Sequence, residues 1–223
     1  MLEQIFPNAA AKLPELWRST LETLEMTAIS GAFIFVFGMA LGIVLVMTKT
    51  GGLAENRAVY QILDKLVNLV RSIPFIILLF CLIPLSRLIV GTSLGIAGSI
   101  VPLVIGTVPF FSRQVETSLA GVDAGLVEAA QSMGCSKLGI IFRVYLKESI
   151  PSLARGITIT LINLIGLTAM AGAVGAGGLG NFAYVQGAQR SRDDIIWATV
   201  IILVVIVTVI QIIGDFIAKK NSH

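Results

Sequence analysis

Runs free of Asp, Glu, Lys and Arg alternate with short polar stretches along this chain, and the runs set its elements. The first extends from Met26 to Met47, close to the ~20 apolar residues that one membrane crossing takes. Before it, Leu13 to Glu25 mixes charged and apolar positions and reads as an interfacial helix with Trp17 as a headgroup anchor. A second uncharged run, Ser72 to Ser86, is too short to cross alone. Extended back to Val59 it reaches a full crossing but takes in Asp64, Lys65, Asn68 and Arg71. A third runs from Leu88 to Ser112, with Pro102 and Pro109 expected to bend it. A fourth begins at Ile150-Pro151, where proline suits a first helical turn, and ends near Ala171. The fifth runs from Ile195 to about Ile217. No segment alternates as barrel strands do. The pattern predicts an all-α integral membrane protein with five transmembrane helices.

Two details of these runs carry two readings each. Gly38 and Gly42 form a GxxxG spacing, either a site of close helix approach or ordinary membrane-helix glycine. Asp64, Asn68 and Arg71 are spaced to share one helical face. That face lines a pathway or subunit contact, or it sits at headgroup level on an elbow before a shorter, tilted span that begins at Pro74. Asp64 and Arg71 are two turns apart, too far to pair directly, so each is expected to face water, headgroups or a partner subunit.

Composition agrees with a membrane protein. Of 223 residues, 56% are hydrophobic and only 13% charged, against about a quarter charged in soluble domains. Mean hydropathy is +0.91. Five spans leave no room for a large extramembrane catalytic domain. The net charge of +3 is scattered rather than clustered, which speaks for topology determinants and against nucleic-acid binding. An alternation of five spans places Lys49, Arg57, Arg113, Lys137, Arg143, Lys147, Arg155, Lys219 and Lys220 on one side. Lys12, Arg18, Arg87, Arg190 and Arg192 fall on the other. The positive-inside rule then gives an external N-terminus and a cytoplasmic C-terminus. The domain reading is an external or interfacial segment 1–25, a single membrane domain 26–218 that includes the connection at about 113–149, and a cytoplasmic tail 219–223. Cys81 and Cys135 form no framework, and the sole histidine is His223, the last residue, so no other histidine is at hand for a catalytic triad and no pair for an HExxH zinc site. Residues 1–25 lack the charged-then-apolar pattern of a cleaved signal.

The longest polar connection, about 113–149, is structured. Asp123 is a helix N-cap and Gly134 sits where a left-handed C′ residue would end that helix. A second amphipathic segment, Lys137 to Glu148, has Ile140, Ile141, Val144 and Tyr145 on one face. Two short helices at a glycine corner form a projection suited to docking on a soluble partner, or an ordinary interfacial loop.

Glu128-Ala129-Ala130, three residues and then Gly134 resemble the EAA loop of permease subunits in bacterial ABC importers. The family's Ile-x-Leu-Pro corresponds to Val144-Tyr145-Leu146-Lys147, with lysine in place of proline. Arg71-Ser-Ile-Pro-Phe-Ile-Ile-Leu-Leu, Ile89-Val-Gly-Thr-Ser and the stretch from Ala169 to Gly180 are similar to the methionine-import permeases of that family. The resemblance implies a homodimer in the bacterial inner membrane, two copies of a cytoplasmic ABC ATPase, and an external methionine-binding protein. It also implies uptake of methionine, of one or both enantiomers, and of related compounds. Glu128 would orient the docking helix, Ala129 and Ala130 would permit close approach, and Gly134 would make the corner.

Gly175, Gly177, Gly178 and Gly180 include a GxGxxG match, but no strand precedes it and no βαβ unit surrounds it. It reads as a tight turn between the fourth and fifth spans, a candidate external gate. No GxxxxGK[ST] occurs, so no cofactor is expected on this chain, and ATP and magnesium belong to the partner ATPase. Thr158, Asn163, Thr168 and Met170 on the fourth span are candidates to line the translocation pathway, or pack between helices. The alternatives are a permease of the same family for another amino acid, and an ion-coupled secondary transporter or channel that uses Asp64 and Arg71.

Overall fold

A computed structural model describes residues 6–221; readings that fall on residues 1–5, and on His223, lie outside them. Every regular element among the described residues is helical. In chain order these are α1 (Pro7–Ala11), α2 (Leu13–Thr48), α3 (Arg57–Ser72), α4 (Phe75–Cys81), α5 (Ile83–Val90), α6 (Gly95–Ala120), α7 (Ala124–Ser132) and α8 (Lys137–Ile140). A π-helical turn Ile141–Tyr145 leads into α9 (Leu146–Glu148) and then α10 (Ile150–Ala171). A second π turn Gly172–Ala176, α11 (Gly178–Phe182), a third π turn Ala183–Gly187 and a 3-10 turn precede α12 (Asp193–Lys220).

Among the described residues the five-span expectation is corrected to four. The helices long and apolar enough to cross a membrane are α2, α6, α10 extended to Ala176, and α12. The stretch expected as a second span is broken into α3, α4 and α5, of 16, 7 and 8 residues. Proline is the cause. Pro74 stands at the N-cap of α4 with extended backbone (φ −56°, ψ 132°), and Pro84 opens α5. Neither has an amide hydrogen to continue the preceding helix, and Pro74 also disfavours helix at Ile73. The assignment of an external N-terminus and cytoplasmic C-terminus rested on five alternating crossings and falls with them.

Other boundaries also moved. The expected interfacial helix and first span are one uninterrupted helix of 36 residues, because no proline occurs between Glu15 and Thr48 to break it. The third span begins only at Gly95, after α5 ends on Gly91 with φ +77°. Pro102 and Pro109 lie inside α6 without ending it.

Contacts divide the chain into two compact units, Met1–Phe33, Ile73–Thr107, Leu161–Gln211 and Ile34–Ser72, Val108–Thr160, Ile212–His223. In the first, Ala9, Leu16, Leu179, Phe182 and Ile195 form a buried cluster. The Asp194 carboxylate accepts from the Asn8 amide at 2.8 Å and fastens α1 to the start of α12. In the second, the GxxxG of α2 makes a close helix contact. A Cβ at Gly38 would lie 2.6 Å from Phe111 Cδ1, and one at Gly42 would lie 2.5 Å from Val115 Cβ. Only hydrogen fits there.

Candidate functional site

The corner loop follows from its caps. Asp123 Oδ1 accepts from the Gly125 amide at 2.7 Å and starts α7. At its end the Gly134 amide donates to Gln131 O at 2.9 Å and the Cys135 amide to Ala130 O at 3.0 Å. With Gly134 at φ +75°, this pair of bonds is a Schellman motif. Ser136 then caps α8, accepting from the Gly139 amide at 3.1 Å. Val127, Ala130 and Ile140 are buried together, with Leu53, Val122, Val144 and Tyr145 packed around them. Burial pushes the Tyr145 phenol up from its usual pKa, so it stays neutral at any physiological pH. The loop therefore has its own core and keeps its shape.

The surface of that loop is apolar where it is most exposed. Met133 is 75% exposed, Leu138 67% and Phe142 65%. Glu128 and Ala129 are exposed beside them, whereas Ala130 lies in the loop's own core. Lys147, where the resemblance expects proline, is exposed on α9. Rigid backbone under unpartnered apolar side chains suits a groove in another protein.

The glycine turn is folded tightly in the first unit. Gly175, Gly177 and Gly178 have φ of +101°, +89° and +73°, a region that L side chains seldom adopt. Gly180 is helical, yet a Cβ there would run into the Ala169 carbonyl oxygen. Two side chains from α2 hold the turn. Glu22 Oε2 accepts from the Gly178 amide and Thr23 Oγ1 from the Leu179 amide, both at 2.8 Å.

The four candidate pathway residues divide. Thr158 and Thr168 are buried and donate to carbonyls of their own helix, Ala154 O at 2.8 Å and Ile165 O at 2.7 Å. Asn163 and Met170 are exposed and, with Gly166 and Ala173, fall at three- and four-residue spacing on one open face.

The family described as "Binding-protein-dependent transport system inner membrane component" matches residues 34–223. The chain belongs to this family. It is 49% identical over 219 residues to the methionine import system permease protein of Bacillus subtilis, covering 98% of each chain. It is 46% identical over 214 residues to the probable D-methionine transport system permease protein of Pasteurella multocida, covering 94% of this chain and 99% of the relative. Its fold matches a chain of the MetNI methionine ABC transporter in inward-facing conformations with a TM-score of 0.93 and 42% identity. That match covers 96% of this chain and 99% of the other. An amino acid ABC transporter crystallised with histidines shares the fold at a TM-score of 0.78 and 15% identity, over 96% of this chain and 98% of that one.

For a permease of this family, the sequence reading omitted several residues that shape the site. Ser136 was legible, being a serine three positions before Gly139 at a helix start. Ser149, whose hydroxyl donates to Ser118 O at 3.1 Å, Glu22 and Thr23 were not, because their partners lie far along the chain. Asp64 and Asn68 were noticed on α3, but not their partner. The expectation that Asp64 faces water, headgroups or another subunit is incomplete: its side chain is 31% exposed and also forms an ion pair with Arg113 of the same chain.

Proposed function

We propose that this chain is the membrane-embedded permease subunit of an ATP-driven importer that takes up methionine across the bacterial inner membrane. The observation that carries this reading is the agreement, at 42% identity and a TM-score of 0.93, with a chain of the methionine ABC transporter over 96% of this one. The methionine permease of Bacillus subtilis, aligned over 98% of each chain, supports the same substrate. Hydrolysis belongs to ATPase subunits, and methionine is delivered by a separate binding protein. The permease itself performs no bond-breaking step.

The geometry suggests how force enters. Two ATPases that close on ATP draw together the loops docked in them, and each loop moves as a piece because it has its own core. Exposed Glu128 and Ala129, with Met133, Leu138 and Phe142 around them, form the docking surface, and Gly134 sets its corner. The long helices then switch between two packings rather than bend continuously. Asn163 and Met170 on the open face of α10 supply a polar contact and an adaptable thioether surface to a passing amino acid. The glycine turn at 175–180 acts as a gate.

One docking loop per chain, and two ATPases per ATP sandwich, require two copies of the permease. Native mass spectrometry of the complex purified through this chain should show two permeases with two ATPases. A single permease with one ATPase, or no ATPase at all, would overturn the assembly.

A further inference from the structure

Tyr60, Asp64 and Asn68 recur every four residues on α3, so they form one stripe. Arg113 and Glu116 stand one turn apart near the end of α6. Within the second unit the stripe and the pair close into a ring. Arg113 Nη2 donates to Asp64 Oδ1 and, at 3.2 Å, to Asn68 Oδ1. Its Nη1 donates to Glu116 Oε2 at 2.5 Å. Asn68 Nδ2 donates to Asp64 Oδ2, and the Tyr60 hydroxyl to Glu116 Oε1, each at 3.2 Å. Both oxygens of both carboxylates are engaged, and the Arg113 side chain is only 19% exposed.

An isolated surface ion pair contributes little. A half-buried ring differs, because removing one member leaves charges and lone pairs of the others without partners. The ring lies at the end of α6 nearest the loop: α6 ends at Ala120, and Ser118 O in its last turn accepts from Ser149 at the loop's far end. Both feet of the loop are thus attached to the helix segment that carries Arg113. Leu53, shortly before α3, packs on the loop core, but movement passed along α6 reaches α3 only if α3 cannot slide along α6.

We propose that Arg113 is a positioning residue of the transport cycle: through Asp64 and Glu116 it locks α3 to α6, so that movement of the loop is passed to α3. This rests on the ATP-driven reading above. What α3 carries with it includes a polar face, since Gln61, Lys65 and Ser72 are exposed on it.

The test measures methionine carried per ATP hydrolysed in the reconstituted full complex for wild type, Arg113→Met, Asp64→Asn, and the exchange Asp64→Arg with Arg113→Asp. Arg113→Met should assemble and hydrolyse ATP within about twofold of wild type, while methionine per ATP falls at least about fivefold. The exchange should recover at least about half of that loss. If Arg113→Met does not assemble, Asp64→Asn, which keeps the size and removes the charge, must show the same fall. Unchanged methionine per ATP in the single variants overturns the proposal. So does hydrolysis and uptake declining in proportion with no recovery in the exchange. A wild type that takes up no methionine with ATP instead refutes the importer reading itself.

Discussion

Glu22 and Gly178 are 156 positions apart and meet through one hydrogen bond, from the Gly178 amide to Glu22 Oε2 at 2.8 Å. The neighbouring bond from the Leu179 amide to Thr23 Oγ1 is buried. There is no space for a side chain at Gly178, where a Cβ would lie 2.6 Å from Thr23 Oγ1. The glycine turn is therefore held against α2 by two side chains whose loss should free it.

Thr23→Val keeps the shape of a buried residue and leaves the Leu179 amide without an acceptor. Such a loss costs about 1–3 kcal/mol. Thermal unfolding of the purified complex should show a drop of that size, and Thr23→Ser, which restores the oxygen, should lose much less. Equal stability of Thr23→Val and wild type would mean the bond does not hold the turn.

Gly134 has φ +75° and nothing within 4 Å of the position a Cβ would take. Gly134→Val should therefore cost about 1–2 kcal/mol through backbone strain rather than collision. Insertion should persist while ATPase activity ceases to respond to the binding protein. Gly134→Asn, which tolerates the left-handed region, should retain most of the coupling. Loss in both variants alike would point away from backbone conformation as the cause.

How much of this could be read in the sequence depended on how local the physics was. The start of α10 was legible, because an apolar run began near a proline suited to a first turn. The Asp123 cap and the Gly134 corner were legible for the same reason, since each is decided within a few residues. The second span failed at Pro84: Pro74 does start a new helix, as one of the two readings had it, but that helix ends at Cys81, ahead of Pro84, too short to cross. Helix contacts were half legible. The GxxxG spacing advertised a close approach, but nothing advertised Phe111 and Val115 as what approaches. Arg113 was counted only as a topology charge, and its pairing with Asp64 across 49 positions has no sequence pattern to announce it.

The open face of α10 can be tested by labelling. Cys81 and Cys135 are both exposed, so they are first replaced by serine. Asn163→Cys should then react with a small aqueous thiol reagent, at a rate that changes when ATP and a transition-state mimic are added. Thr168→Cys, placed at a buried position, should stay inert. Reaction at Thr168→Cys with none at Asn163→Cys in any nucleotide state would reverse the assignment.

Gly42→Leu should push α2 from α6, because Val115 and the Ser112 carbonyl already fill the space, at 2.5 and 2.8 Å from the ideal Cβ. Overpacking of this kind costs about 1–3 kcal/mol, read as a fall in the unfolding temperature of the detergent-solubilised complex. An unchanged unfolding temperature would show that this contact is not tight in the assembled protein.

The central claim is that ATP hydrolysis by partner subunits, entering through the loop that bears Glu128, drives methionine uptake. Accumulation of labelled methionine is measured in proteoliposomes containing the permease, ATPase and binding protein, for wild type and Glu128→Arg, with ATP or with an ion gradient alone. Wild type should accumulate methionine only with ATP, and Glu128→Arg should lose about tenfold or more, as when a bulky cation is forced into a docked surface. Accumulation on an ion gradient without ATP, or a fully active Glu128→Arg, would contradict the account.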